Sequence, residues 1–385
     1  MAKPLNICLI GYSFMGKAHS NAWLSAGKFF DLPVRPVLKV LVGRNRKAAT
    51  AVAKRWGWEE VETDYRAAVT RDDVDLVDIG APNNVHCEMA LAALEAGKAV
   101  ACEKPIAMNA DEAKRMAAAA RKAKVLNTVW FNYRRVPAVA LARQLVQEGR
   151  IGDVHHVRAV YLQDWVMDPS FPLVWRLDKR VAGSGSHGDL NAHLIDTAQH
   201  ITGDSIATVC ALTKTFVKER PLASAQGSLS ATRRRGGKTG RVTVDDAVLC
   251  LATFKGGAVG TFEATRFAKG HHNGNRIEIN GSKGSLAFDF ERMNELQFYD
   301  GGDPDHVQGF RTISATKGVH PYAGAYWPPG HVIGYEHTFI NHAADIATAW
   351  AKGEAVAPTF ADAARVQRVL DAVLESAKAK AWVKV

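Results

Sequence analysis

Cysteine is scarce and scattered: Cys8, Cys87, Cys102, Cys210 and Cys250 are odd in number, far apart and mostly set among apolar residues. That pattern speaks against a disulfide framework and against the close ligand pairs of a zinc site, so core packing is expected. Long apolar runs are missing too. A membrane-spanning helix needs about 20 predominantly apolar residues; here the run from Leu5 is interrupted by Asn6 and ends in a glycine loop rather than a small-residue cleavage site. The chain therefore reads as cytoplasmic, with no membrane partner. Internal repeats and low-complexity segments are absent. Clustered charge is confined to Arg233, Arg234, Arg235, Lys238 and Arg241, although the formal net charge is +10. Because that cluster falls in a glycine-punctuated stretch between elements, it reads as a solvated loop, and no nucleic acid partner is expected.

What is present is a two-part chain. At 385 residues it exceeds the size at which one core keeps growing, and its patterning changes near residue 132. Up to there, short apolar strands (Leu5–Ile10, Val37–Val42, Leu76–Ile79, Ala99–Cys102, Leu126–Trp130) alternate with alanine-rich helical segments (Met15–Ala26, Lys47–Trp56, His86–Ala96, Ala110–Lys122). Such alternation predicts a parallel sheet covered by helices. Asn109 with Glu112 three residues on predicts a capping box at the last of these helices. Beyond it, helices at Pro137–Glu148 and Asp189–Ile201 are interspersed with strands Val154–Leu162, Val248–Phe254, Ala258–Ala264, Arg276–Asn280 and Leu286–Phe290, and a final helix covers Phe360–Lys378. The fold class expected is an α/β Rossmann domain, residues 1–132, plus an α+β C-terminal domain, residues 133–385, with an open-faced, mostly antiparallel sheet. The last helix is free to pack back on the first domain.

Gly11-Tyr12-Ser13-Phe14-Met15-Gly16 follows the first strand and opens the first helix, where a dinucleotide fingerprint must sit. Gly11 allows the tight turn, Gly16 allows close helix packing, and the helix N-terminus offers amides to a pyrophosphate. The middle glycine of the fingerprint is replaced by Ser13. The second strand ends in Gly43-Arg44-Asn45-Arg46 without the acid that holds a ribose 2′-hydroxyl. Arg44 or Arg46 suits a 2′-phosphate instead, so the cofactor is NADP or NAD, with NADP favoured.

Glu103-Lys104-Pro105 comes directly after a strand, at the carboxyl edge where parallel sheets bind ligands. Pro105 keeps Lys104 out of helical geometry. Asp189 and His193 stand one helical turn apart and share a face. Taken alone, such a pair is more often a structural hydrogen bond than a catalytic one. In the catalytic reading His193 is the general base, Asp189 orients it or a substrate hydroxyl, and Lys104 hydrogen-bonds the reacting oxygen. Tyr133, Trp165, Trp175, Arg176 and Trp327 are candidates for a sugar-facing wall, aromatic faces covering C–H surfaces while Arg and Tyr satisfy hydroxyls. His187 beside Asp189 and His193 is not expected to bind metal, and neighbouring His271 and His272 diverge near a strand start.

The chain resembles the Gfo/Idh/MocA family of sugar and inositol oxidoreductases. The resemblance rests on Gly11 through His19, Ala81-Pro82-Asn83 with His86, Glu103-Lys104-Pro105, and Asp189-Leu190-Asn191-Ala192-His193 followed by Ile195-Asp196. It implies a Rossmann domain, cofactor contacts at Pro82, Asn83, His86, Glu103 and Lys104, a cis Lys104–Pro105 peptide, and catalysis without a metal. It also implies an open sheet used in oligomerisation, hence a homodimer or homotetramer. Further stretches, Phe131–Ala140, Tyr161–Trp165, Gly183–Gly185, Glu219–Leu222, and His320–Tyr322 before Tyr326–Pro328, are similar to members acting on an anhydrosugar. Asn191 departs from the glycine commonest in the second motif. The activity implied is oxidation of a secondary hydroxyl, at C3, of a cyclic sugar or anhydrosugar such as levoglucosan. Alternatives are a glycosidase or lyase working through transient C3 oxidation, an inositol or glycoside dehydrogenase, and a non-catalytic nicotinamide sensor. A serine hydrolase is disfavoured, because Gly11–Met15 lacks the final glycine of a nucleophile elbow.

Overall fold

The computed structural model describes residues 2–223 and 237–385, so Arg233, Arg234 and Arg235 of the basic cluster lie outside the described residues. The chain forms two compact units, Met1–Asn132 with Gly334–Gln367, and Tyr133–Ile333 with Arg368–Val385. A single cut after residue 132 therefore differs from what is seen, since 334–367 joins the first unit.

In the first unit β1 (Lys3–Ile10), α1 (Phe14–Phe29), β2 (Val34–Val42), α2 (Arg46–Trp56), β3 (Glu60–Glu62), α3 (Tyr65–Val69), β4 (Leu76–Ile79), α4 (His86–Glu95), β5 (Ala99–Cys102), α5 (Ala110–Ala123) and β6 (Asn127–Val129) alternate. The strands pair in parallel in the order β3-β2-β1-β4-β5-β6. This is a Rossmann sheet, and the order reverses between β1 and β4, where such sheets open a ligand crevice. Every residue of β4 and β5 is buried, as strands covered on both faces require. At the start of α5 the Asn109 side chain accepts from the Glu112 amide at 2.9 Å, while the Glu112 carboxylate reaches back to the Met108 amide at 3.1 Å. A helix not expected from the sequence, Tyr335–Lys352, packs against α1. Its apolar period is masked by buried polar residues such as Asn341 and His342, the latter 3.3 Å from the Thr128 hydroxyl.

The second unit carries α6 (Pro137–Gln147), β7 (Val154–Leu162), α7 (Lys179–Ala182), α8 (Ala192–Thr202), β8 (Ile206–Lys214), β9 (Glu219–Pro221), β10 (Thr239–Arg241), β11 (Ala247–Phe254), β12 (Val259–Thr265), β13 (Gly274–Gly281), β14 (Gly284–Asp289), β15 (Glu295–Asp300), β16 (Arg311–Ser314) and β17 (Val383–Lys384). Nine of these strands form one sheet, β16-β15-β14-β13-β7-β12-β11-β8-β17, in which only β7 and β12 run parallel. Helices α6 and α8 pack against it. Leu212, Leu249, Leu251 and Val259 remain exposed, with Leu249 directly opposite Leu212 in the register. The Phe360–Ala379 helix gives its first part, to Gln367, to the first unit and the remainder to the second.

The helix expected at Asp189–Ile201 is a finding with a correction. Residues His187–Asn191 form a π-helical turn, and α8 proper starts at Ala192. The cause lies just upstream. Asp245 accepts hydrogen bonds from the Gly185 amide (2.7 Å), the His187 amide (2.7 Å) and the Ser186 hydroxyl (2.8 Å). The chain is pressed so closely there that a Cβ on Gly185 would stand 1.8 Å from the Asp245 carbonyl oxygen. Such π-turns are frequent where helices carry functional side chains.

Candidate functional site

The nucleotide end is built by two loops that leave the adjacent strands β1 and β4. Gly11 has φ +112°, and a Cβ there would lie 2.6 Å from the Gly80 carbonyl oxygen. A Cβ on Gly16 would meet the Gly11 carbonyl at 2.4 Å. Only glycine fits at either position. Ser13 is the N-cap of α1, its side chain makes no capping hydrogen bond, and no acidic residue stands in the first turn. Phe14 and Met15 open the helix, with Phe14 exposed and stacked 6.3 Å from Tyr335. The leading amides and positive dipole end of a 16-residue helix are thus presented next to a glycine cradle, which fits a nucleotide pyrophosphate.

At the end of β2, Gly43 lies under the Tyr12 ring, where a Cβ would come within 2.2 Å of a ring carbon. Arg46 is partly committed to the protein: its Nη1 donates to the Val61 carbonyl at 3.1 Å and its Nη2 is 3.7 Å from Glu62. After β4, Pro82 and Asn83 lead into a short turn, Asn83–Val85, that precedes α4. His86 is fully buried, its ring nitrogens 2.9 Å from the Ala81 carbonyl and 3.0 Å from the Pro105 carbonyl. It ties the loop after β4 to the cis Lys104–Pro105 segment.

The Lys104–Pro105 peptide is cis. Lys104 is partly exposed, whereas Glu103 is buried and accepts the Lys104 amide at 3.0 Å. Glu103 is therefore turned inward, toward His19, and is not a surface group beside the lysine.

In the second unit Tyr133, Trp165, Asp189 and His193 are joined by a continuous series of contacts. The His193 ring stacks on Tyr133, centroids 4.2 Å apart at 24°. Tyr133 in turn packs 4.5 Å from Phe290. Its hydroxyl lies 2.9 Å from that of Tyr161, which donates to the Asn273 side-chain oxygen at 2.7 Å. The same oxygen accepts from Gln163 at 3.0 Å, and the Gln163 oxygen accepts the Trp165 indole N–H at 2.9 Å. The Arg266 guanidinium lies 5.3 Å over the Trp165 ring and donates to Asp189 at 2.8 Å. The circuit thus returns to the start of the helix that carries His193. Tyr133, expected in the sugar-facing wall, is buried as the support of the imidazole, and Trp165 is the half-open aromatic.

Trp175 and Arg176 form their own pair, the guanidinium 4.3 Å above the indole. Trp327 borders a shallow hollow with Asn294, Thr316, Tyr326 and His331. His187 is buried and serves the backbone, its Nε2 donating to the Leu370 carbonyl at 2.8 Å and its Nδ1 accepting from Asn191 at 3.2 Å. Burial keeps its pKa below the ordinary histidine value. Asn191, at the position where glycine was expected, supplies that donor.

Gln163, Asn273 and Arg266 were not foreseen. Gln163 was within reach, because Tyr161, Gln163 and Trp165 alternate and so share one strand face. Arg266 carried no local signal. It is 1% exposed, and its Nε and Nη1 have no acceptor among the described residues.

Both units match known family models. Residues 5–132 match the oxidoreductase family with an NAD-binding Rossmann fold, and residues 139–287 match the GFO/IDH/MocA C-terminal domain. The chain belongs to the Gfo/Idh/MocA oxidoreductase family. It is 44% identical over 384 residues, 99% of this chain and 98% of the relative, to levoglucosan dehydrogenase of Pseudarthrobacter phenanthrenivorans. Among solved structures it is similar to an oxidoreductase domain protein from Kribbella flavida, at 55% identity and a TM-score of 0.95 over the whole of both chains. It is also similar to levoglucosan dehydrogenase in complex with NADH and levoglucosan, at 42% identity and a TM-score of 0.94, covering 100% of this chain and 99% of that one.

Proposed function

We propose that this protein is a nicotinamide-dependent dehydrogenase that oxidises a secondary hydroxyl, at C3, of a cyclic sugar or anhydrosugar such as levoglucosan. The observation that carries the reading is the circuit around His193 and Asp189, built from side chains able to stack on and hydrogen-bond a polyol, in a chain similar from end to end to a levoglucosan dehydrogenase. The nicotinamide, when bound, supplies the acceptor for the hydride that leaves the carbinol carbon. His193 takes the hydroxyl proton, Tyr133 fixing the plane of its ring. Asp189, held by Arg266, accepts a hydrogen bond from a substrate hydroxyl. Trp165 covers a C–H face of the sugar, with Trp175 and Arg176 lining the approach. Lys104 donates to the reacting oxygen and stabilises its developing negative charge.

Gly11 to Gly16 hold the dinucleotide, and Pro82 and Asn83 border it. Arg44 at the end of β2, with no acid beside it in that turn, supports acceptance of NADP; NADH in the solved relative supports NAD. The exposed Leu212, Leu249, Leu251 and Val259 support self-association through the sheet, as a homodimer or homotetramer. Five free thiols suit a reducing compartment such as the cytoplasm.

The test is the ultraviolet absorbance of reduced nicotinamide, with purified protein, NAD and NADP supplied separately, and levoglucosan, myo-inositol, glucose and simple glycosides as substrates. Turnover of levoglucosan is expected. Release of a leaving group from an aryl glycoside without net reduction would replace this reading with the glycosidase. His193→Ala is expected to lower turnover by about 100-fold or more while nucleotide affinity stays within a few-fold, the range general-base removal gives.

A further inference from the structure

The first unit buries a charged cluster that the proposed chemistry does not use. His19 of α1 is fully buried, with Nδ1 3.0 Å and 3.1 Å from the two Asp78 oxygens and Nε2 3.0 Å from Glu103 Oε1. Asp78 Oδ2 also accepts the Trp23 indole N–H at 2.7 Å, and Oδ1 that of Trp130 at 2.8 Å. Indole N–H groups only donate, so both Asp78 oxygens accept. Glu103 Oε2 accepts the Lys104 amide, which fixes that oxygen as an acceptor as well.

Neutral imidazole carries one N–H and so can serve only one of its two carboxylate neighbours. Either His19 carries both protons, or one of the two carboxyl groups is protonated and donates to a neutral ring. The net charge of the cluster is the same in both cases, and imidazole is ordinarily more basic than a carboxylate by about two pKa units, so the proton belongs on His19. The surroundings agree: the ring lies 4.4 Å from Trp130 and 5.5 Å from Phe339, aromatic faces that favour a cation.

We propose that His19 is a positioning residue, an imidazolium clamped between Asp78 and Glu103 that fixes, through the Glu103 carboxylate, the backbone from which Lys104 projects. The far side of the same segment is held by His86 on the Pro105 carbonyl. A lysine that must reach a reacting oxygen within a fraction of an ångström gains from a backbone with no freedom to rotate. The role assigned to Lys104 rests on the proposed dehydrogenase reading; the clamp itself does not. Burial alone would lower the His19 pKa, but the charge and hydrogen bond of Asp78 and those of Glu103 outweigh it and raise it to about 9. Cys8, Cys102, His86 and Lys104 are further titratable groups near these carboxylates, with His342 beyond Trp130, and burial holds both thiols protonated.

The experiment uses the intact protein labelled with ¹⁵N-histidine and ¹⁵N-lysine. At pH 7.5 the spectrum of the wild type is expected to show two ring N–H signals from one buried imidazole, both lost in His19→Gln, and His19→Gln and Glu103→Gln are expected to shift the Lys104 amide. A single ring N–H, or a Lys104 amide unmoved in both variants, overturns the clamp. In kinetics, His19→Gln is expected to lower kcat about tenfold or more with sugar KM and nucleotide Kd within threefold. An unchanged kcat, or a loss confined to KM or Kd, overturns the positioning role. If the two N–H signals and the amide shift are seen but no sugar is oxidised by the wild type, the clamp stands and the dehydrogenase reading falls.

Discussion

Arg266 holds Asp189 across 77 positions of sequence: Nη2 donates to Oδ2 at 2.8 Å, the arginine almost wholly buried and the carboxylate a third exposed. The buried partner fixes the direction of the exposed one. Asp189 is thereby kept as an acceptor aimed by the protein instead of by solvent.

Removing that guanidinium takes one hydrogen bond from Asp189 and the cation from beside the Trp165 ring. Arg266→Met is expected to lower kcat/KM for the sugar by about 10- to 100-fold, equivalent to about 1.4–3 kcal/mol, with little change in nucleotide affinity. Arg266→Lys keeps the charge without the planar fork, so only part of the activity should return. Steady-state kinetics beside nucleotide titration separate the two quantities.

Tyr133 offers a cleaner division. Tyr133→Phe removes the hydroxyl contact to Tyr161 and keeps the ring that stacks on His193, so a several-fold change in kcat is expected. Tyr133→Ala opens a cavity beneath the imidazole and is expected to cost about 3–5 kcal/mol of stability along with most activity. Urea unfolding followed by circular dichroism gives the first number.

At the nucleotide end, Gly16→Ala would place its Cβ 2.4 Å from a backbone oxygen. The turn must open to relieve this. A rise of about tenfold or more in the Kd of NAD and NADP is expected, with the second unit's near-ultraviolet spectrum intact; unchanged affinity would show that the turn is not the pyrophosphate cradle.

Stability should depend on pH in two opposed ways. For His19, raised in the folded chain to about 9 from an ordinary value near 6.5, the folded state binds the extra proton. Its contribution is complete below pH about 6.5 and is lost as pH rises through about 9. For His187, lowered by burial, the unfolded chain binds the proton first, so stability falls as pH drops below about 6.5. The melting temperature should therefore decline on both sides of neutrality, and His19→Gln should flatten the alkaline side alone. Scanning calorimetry from pH 5 to about 10 reads both limbs.

Much of this was legible because its signals are local. Gly11 and Gly16 announce a strand-to-helix turn, and the strands Leu76–Ile79 and Ala99–Cys102 lie where short buried apolar runs indicate. What escaped is held by partners distant in sequence. The Tyr335–Lys352 helix hides its period behind buried polar groups, β8 carries an exposed Leu212 that blurs its alternation, and the π-turn at His187 is imposed by Asp245. The same reason applies to the site. Lys104 and His193 stand in recognisable motifs, whereas Arg266 and the His19–Asp78–Glu103 cluster acquire meaning only once the chain has folded.

The packing of Gly43 beneath Tyr12 constrains how cofactor preference can be redesigned or can drift. Any side chain at position 43, an aspartate included, needs the space that the phenol ring already fills. A mutational route toward a ribose-gripping acid must first shrink or swing Tyr12, and the reverse order passes through an intermediate with a displaced ring. The two positions are therefore coupled, and a library aimed at cofactor preference should vary Gly43 and Tyr12 together.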